Sequence, residues 1–203
     1  ALGNARLQSL ALADVHARYM HALEGRGELD RDLEFLPDFE TFIHRVQGGA
    51  GLASPELAVL LAYSKITLAE QVLAGDLPDD PDVQAALVDY FPTPLRERFP
   101  GAIEGHALRR EILTTALVNE MVNRAGITFA FRMIEETGAT PSDIVRAHRA
   151  AWAIFDQQAV WDAIAVLDHQ VGSDAQTRMY LESRKLVERA ARWLLRNRRP
   201  LRL

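Results

Sequence analysis

The stretch Ser54-Pro55-Glu56-Leu57-Ala58-Val59-Leu60-Leu61-Ala62-Tyr63-Ser64-Lys65 constrains the chain more than any other. A hydroxyl residue, a proline and an acid in succession read as an N-cap, a first helical residue and a first-turn carboxylate. The nearly unbroken apolar run behind them predicts a helix buried on most sides. Such a helix needs a shell of other elements around it. No segment alternates convincingly in the two-residue period of a strand, so that shell is helical. The expected fold class is all-α, an irregular multi-helix bundle of about nine helices.

The flanking segments support this. Residues 6–24 carry Leu7, Leu10, Val15, Tyr19 and Leu23 and end at Gly25-Arg26-Gly27. Leu33 to Gln47 predicts a second amphipathic helix, interrupted near its start by Pro37, with Phe35, Phe39, Phe42, Ile43 and Val46 at helical spacing. Gly48-Gly49-Ala50-Gly51 then reads as a flexible joint. It divides the chain into an N-terminal helical pair, 1–47, and a main helical bundle, 48–203. The central helix is expected from Pro55 to about Ala74, with Gly75 as its C-terminal cap. Short helices follow over 83–91 and from Thr93-Pro94 to Pro100-Gly101. A long one is expected from Ile103 to Ala125, and another from Ile127 to Thr137, although Ile127-Thr128-Phe129 alone would pass for a strand. Thr140-Pro141-Ser142-Asp143 starts a helix with Ile144, Val145, His148, Trp152 and Phe155 on one face. Val160, Trp161, Ile164 and Leu167 mark the next. The last helix spans about Asp174 to Asn197, with Leu186, Val187, Ala190, Trp193 and Leu194 as its stripe.

Composition removes several kinds of function. The chain has no cysteine, which excludes disulfides, thiolate metal sites and a cysteine nucleophile, and a reducing cytoplasm is the expected location. The formal net charge of −5 argues against a general nucleic-acid binder. No apolar stretch reaches the roughly 18–20 residues that span a bilayer, so no membrane partner is expected. The start, Ala1-Leu2-Gly3-Asn4-Ala5-Arg6, lacks the layout of a signal peptide. Both ends read as cuts, and the chain is expected to be a piece of a longer protein.

Residues that could carry chemistry are few, and each has a plainer structural reading. Gly48-Gly49-Ala50-Gly51 precedes a helix, but no strand leads into it, so it reads as a hinge and not as a dinucleotide turn. His16 and His21 lie on different helix faces. His44, His106, His148 and His169 are scattered without metal-ligand spacing. Glu135 and Glu136 are adjacent, diverge on a helix and read as a solvated last turn. Lys65 ends the apolar run and reads as a scaffold lysine, since no partner is visible nearby. Asn119 and Asn123, one turn apart, would need amide partners if their face is buried, and a structural network is the favoured reading. The final helix is basic, with Arg184, Lys185, Arg189, Arg192, Arg196, Arg198, Arg199 and Arg202 against Glu182 and Glu188. Its favoured reading is a cationic helix end docked on an acidic surface, with Trp193 on the apolar stripe. The alternative is a stand-alone helical binding module that uses this helix on an anionic partner. A helical hydrolase, the third class, needs converging His and carboxylates, and the spacing offers none.

Several stretches together resemble one family. They are Leu33-Glu34-Phe35-Leu36-Pro37; Pro55 through Lys65; Asp76-Leu77-Pro78-Asp79-Asp80-Pro81; and Tyr90-Phe91-Pro92-Thr93-Pro94-Leu95-Arg96-Glu97-Arg98-Phe99. Val122-Asn123-Arg124 with Gly126-Ile127-Thr128-Phe129, Glu135-Glu136-Thr137-Gly138-Ala139, and Arg192-Trp193-Leu194-Leu195-Arg196-Asn197-Arg198 follow in the same order. The chain resembles, over nearly its whole length, the part of the large bacterial NAD-specific glutamate dehydrogenases that follows their catalytic domain. It departs at Ala53-Ser54, where the family commonly has Thr-Arg; a threonine cap is lost and a serine cap is expected one residue later. Ala125 also stands where the family pattern has glycine.

The resemblance implies a parent enzyme converting L-glutamate, NAD and water to 2-oxoglutarate, ammonium and NADH. It implies that NAD serves the parent and that this chain binds none. In that family a substrate-site lysine and aspartate and a Rossmann domain do the work, and none of their motifs matches a position here. No catalytic, cofactor-binding or metal residue is therefore assigned. The implied role is structural, inter-subunit or regulatory. The implied partners are the upstream catalytic domain of the same chain and further copies in a homo-oligomer.

Overall fold

The structure is a computed structural model that describes residues 2–199 and 201. Among these the fold is all-α, with no strand and nine helices of seven residues or more. In chain order the helices are α1 (Leu2–Gln8), α2 (Ala13–Gly25), α3 (Phe39–Gln47), α4 (Ser54–Leu73), α5 (Ala85–Tyr90) and α6 (Thr93–Arg98). Then come α7 (Pro100–Glu104), α8 (Arg109–Ala125), α9 (Phe129–Thr137), α10 (Pro141–Ile154), α11 (Gln157–Val166) and α12 (Ser173–Asn197). Tight turns of 3-10 helix, Leu77–Asp79 and Pro81–Val83, join α4 to α5.

Two apolar clusters form the interior, and α4 belongs to both. Its first half gives Leu57 and Leu60 to a cluster with Tyr19, Met20, Leu23, Phe42 and Ile127. Its second half gives Leu68 and Val72 to the larger cluster built from α8, α9, α10 and α12. The helix is not buried on most sides, however. Ala58, Ala62 and Ile66, at four-residue spacing, keep one face open to solvent. An apolar run gives no periodicity from which a half-exposed helix could be told from a buried one.

Several boundaries differ from expectation for tertiary reasons. The helix expected over 6–24 is two, α1 and α2, broken at Ser9. The Ser9 hydroxyl is buried and donates to the Leu52 carbonyl at 2.8 Å. A Cβ on Gly51 would collide with the Ser9 backbone. Glycine at 51 thus permits a close approach of two chain segments, where a flexible joint was expected. The helix expected from Leu33 starts at Phe39, with Asp38 as its cap accepting from Thr41 N–H at 2.7 Å. Residues before it form a turn in which Asp30 accepts from the Asp32 and Leu33 N–H groups. The long helix expected from Ile103 breaks after α7, where His106 Nδ1 accepts from Leu108 N–H at 3.1 Å. Residues 127–137 form no strand.

The three hydroxyl-proline starts also divide. Thr140 caps α10, accepting from Asp143 N–H at 3.2 Å. Ser54 lies inside α4 and makes no cap bond. The backbone cap is Ala53, whose side chain accepts nothing. Half of a capping box survives, because Glu56 accepts from Ala53 N–H at 2.6 Å. Thr93 likewise lies inside α6 and accepts from Arg96. Nor does Gly75 cap α4, whose C-terminal cap is Ala74.

Candidate functional site

The densest chemistry lies where α8, α10 and α12 meet. α10 runs along α12, and side chains three and four apart on α10 point between its neighbours. His148 packs edge-on to Phe129, with ring centroids 5.6 Å apart, and lies 6.1 Å from Trp152. Trp152 stacks edgewise on Trp161, and Trp161 on Tyr180, each at 5.0 Å. The Arg124 guanidinium covers the Trp152 ring at 4.0 Å from its centroid and pairs with Glu120. Arg149 reaches the other Glu120 oxygen at 2.7 Å. Below this layer, Arg132 clasps Glu188 through two bonds of 2.5 and 2.8 Å, and Arg192 adds a third at 3.0 Å. Arg184 donates to the Ala125 carbonyl and closes over Gly126.

The electrostatics make this a closed structural centre. Burial, reinforced by Arg124, Arg149 and Arg184, lowers the His148 pKa to about 3. Burial alone would raise the Glu188 pKa, but the Arg132 bonds and nearby Arg192 and Arg184 hold it below the usual carboxylate value. A neutral histidine and a permanently ionised glutamate have no proton to exchange near neutrality. The space among Arg124, His148, Trp152, Arg184 and Glu188 is about 10 Å³, which is room for one water at most.

A second cluster joins α10 to the loop after α4. The Arg146 side chain, 7% exposed, reaches Asp80 at 3.1 Å, Asp76 at 3.1 Å and Asp143 at 3.7 Å. Its only local mark in the sequence is Asp143 at i−3, since Asp76 and Asp80 come from a distant loop. The third feature is an open groove of about 1170 Å³ between α2, the turn after it, the start of α3 and Tyr63. Glu24 and Arg31 close its floor through bonds of 2.6 and 2.7 Å, and Tyr63 donates to Glu34 at 2.8 Å.

The remaining singled-out residues scatter. His16 is buried on α2, its pKa lowered by burial to about 4. His21, His44 and His169 are exposed, and His106 and Lys65 are half-buried at separate places. Among the described residues no group of three or more His, Asp or Glu is placed to hold a metal ion. Glu135 and Glu136 are not a free last turn: they reach Arg18 at 3.4 Å and Arg192 at 2.5 Å. Asn123 is exposed and Asn119 half-buried, so they lock no buried register. On the basic final helix, Arg184, Arg192 and Arg199 bond within the chain, the last to the Thr137 carbonyl at 2.7 Å. Trp193 is off the buried stripe, 54% exposed; Ser183, Val187, Ala191 and Leu195 form that stripe. Arg202 lies outside the described residues.

These residues do not fit a dinucleotide. No strand precedes Gly48–Gly51, and Gly51 faces the Ser9 backbone where a pyrophosphate would need access.

The class of protein so defined is an all-α region with two apolar cores joined through one shared helix. The chain belongs to the family described as glutamate dehydrogenase, C-terminal, whose model matches residues 49–202. It is 44% identical over 199 residues to an NAD-specific glutamate dehydrogenase of Mycobacterium tuberculosis, a match covering 98% of this chain and 12% of the relative. Similar proteins of the same description occur in Halomonas elongata, 37% identical over 198 residues, and Pseudomonas aeruginosa, 40% identical over 208 residues. They match 98% of this chain, over 12% and 13% of their own lengths. The chain thus spans about an eighth of the curated relatives it matches.

Proposed function

We propose that this chain is a non-catalytic helical portion of an NAD-dependent glutamate dehydrogenase, with a structural, inter-subunit or regulatory role. The parent reaction is then L-glutamate, NAD and water to 2-oxoglutarate, ammonium and NADH. NAD and substrate bind in another part of the polypeptide. The whole protein works in the cytoplasm as a homo-oligomer, with the catalytic domain of the same chain as this region's first partner. Its own organisation is an N-terminal helical segment, 1–47, laid on a main bundle, 48–203; the family model's start at residue 49 supports that division.

One observation carries the reading. The buried charges close on one another, Arg132 with Glu188 and Arg146 with Asp80, while large apolar side chains such as Phe35, Leu33, Ile154 and Val166 face outward. That is the pattern of a docking region, in which polar groups specify the fold and apolar surface awaits a neighbour. Calorimetry of the isolated chain with NAD, and an assay for glutamate oxidation, test it. The expected result is neither binding nor turnover, and either one would overturn the reading.

The stand-alone binding module is favoured only by Arg189, Arg196 and Arg198, which are exposed along one end of α12. It predicts a salt-dependent nucleic-acid gel shift that is lost when Arg196 and Arg198 are neutralised.

A further inference from the structure

The turn before α3 presents the most exposed cluster of large apolar side chains in the described chain. Phe35 is 89% exposed, Leu33 73% and Phe39 61%. Ile43 adds a partly open side chain one turn further along α3. This is not a frayed segment. Its backbone is closed by Asp30 and Asp38, Arg31 is tied to Glu24 and to the Pro37 carbonyl, and Leu36 and Phe42 anchor it in the core.

Phe35 itself has φ +54, a left-handed conformation that a side chain such as phenylalanine rarely adopts. The anchored residues on both sides hold it there, and the strained backbone carries the ring out into water. Leu33 and Phe39 line the open groove beside it, together with Leu29, His21 and Tyr63. Residues 28–40 carry six acids and one base; that base is paired with Glu24 and Glu28 with Arg26, which leaves Asp30, Asp32, Glu34, Asp38 and Glu40 outside any ion pair among the described residues. The surface is therefore apolar at its centre and acidic at its rim.

We propose that this surface docks the preceding portion of the same polypeptide, through an apolar ridge on that portion flanked by lysine or arginine. The proposal rests on reading the chain as a C-terminal part of a larger enzyme. Two observations choose the occupant. The relatives match from the first helices onward, yet the C-terminal family model begins only at residue 49. Leu33, Phe35 and Phe39 thus sit outside the C-terminal family region, on its junction with what comes before. The relatives also extend over about eight times this length, which supplies chain enough for such a neighbour, and an acidic rim is complemented by a basic face.

The test uses the full-length enzyme with a photoreactive benzophenone side chain at position 35. Irradiation followed by peptide mass spectrometry is expected to give crosslinks within one polypeptide, to residues that precede this region. Crosslinks between two subunits would overturn the proposal and assign the surface to a second copy, whose α12 end carries exposed Trp193, Arg189 and Arg196. Absence of crosslinks would overturn it as well.

A second measurement guards against a folding defect. Phe35→Asn suits the left-handed backbone, so the fold survives while the ring is lost. Combined with Leu33→Ser in the full-length enzyme, it is expected to raise the rate of proteolytic cleavage at the junction before this region at least fivefold. Ile66→Ser on the open face of α4 is expected to leave that rate unchanged. Equal rates in all three proteins would refute the assigned face. They would leave the non-catalytic reading to be decided by the NAD experiment.

Discussion

Acid should destabilise this chain well above the range in which its carboxylates titrate, and the cause is two buried histidines. His16 and His148 are each 2% exposed. Burial lowers their pKa from 6.5 to about 4 and about 3 respectively. In the unfolded chain both protonate near their ordinary value. Above that value both states are neutral and the histidines add no pH dependence. Below it the unfolded state binds protons that the folded state refuses, so stability falls with pH until each folded pKa is reached. Each group removes about 1.4 kcal/mol per pH unit in this window, or about 2 kcal/mol between pH 7 and pH 5. Together they cost about 4 kcal/mol, a large share of the roughly 5–15 kcal/mol typical of a domain. The carboxylates with lowered values, Asp38, Asp76 and Glu188, have unfolded values of 3.8, 3.8 and 4.5, so their contribution is lost mainly below this window. The assay is urea denaturation at fixed ionic strength at pH 7, 6 and 5. His148→Gln, which cannot titrate, should remove about half of the pH dependence whatever its own stability. A stability change below about 1 kcal/mol across that range, or an undiminished slope in the variant, would refute the reasoning.

Further outcomes follow from other parts of the fold. Ala53→Thr restores a side-chain cap at the residue whose backbone already serves as N-cap of α4, and should stabilise by about 1 kcal/mol in urea denaturation. Arg146→Met leaves Asp80 and Asp143 without their buried cation and should destabilise by about 3 kcal/mol. Asp76→Asn, at a partner 77% exposed, should change the same measurement by less than about 1 kcal/mol. Gly126→Ala places a Cβ at φ +96 against the Arg184 guanidinium and should cost more than about 1 kcal/mol, visible as a lower thermal midpoint. Gly51→Ala should separate α1 from α4, read as faster amide exchange over residues 2–12, while the core of α10 stays protected.

What could be read in the sequence depended on whether the signal was local. The all-α class, the ends of α9 at Gly138 and of α8 at Gly126, and the cap at Thr140 all follow from neighbouring residues, and the structure keeps them. The family, too, was legible, because quoted stretches in a fixed order survive without any knowledge of contacts. The breaks at Ser9 and at Gly105–Leu108 were not legible. One depends on a carbonyl 43 residues away, and the other on an imidazole that takes over a backbone N–H. The assignment of Ser54 as a cap failed by one residue, since helix-start chemistry is shared by positions that only backbone geometry distinguishes.

The same division applies to the surfaces that matter for function. Apolar spacing alone put Phe35, Phe39 and Trp193 on buried faces, because periodicity states that residues share a side and not which side finds a partner. Asp76, Asp80 and Arg146 were each visible as charges, but only packing α10 against the α4–α5 loop makes them one buried clasp. Local patterns suffice to make this chain a series of helices punctuated by glycine and proline and to place it in its family. Tertiary structure decided which histidines are held neutral, which arginines are occupied within the bundle, and which apolar side chains remain exposed. Those outcomes depend on desolvation and on contacts between residues far apart in the chain, quantities that no local pattern contains.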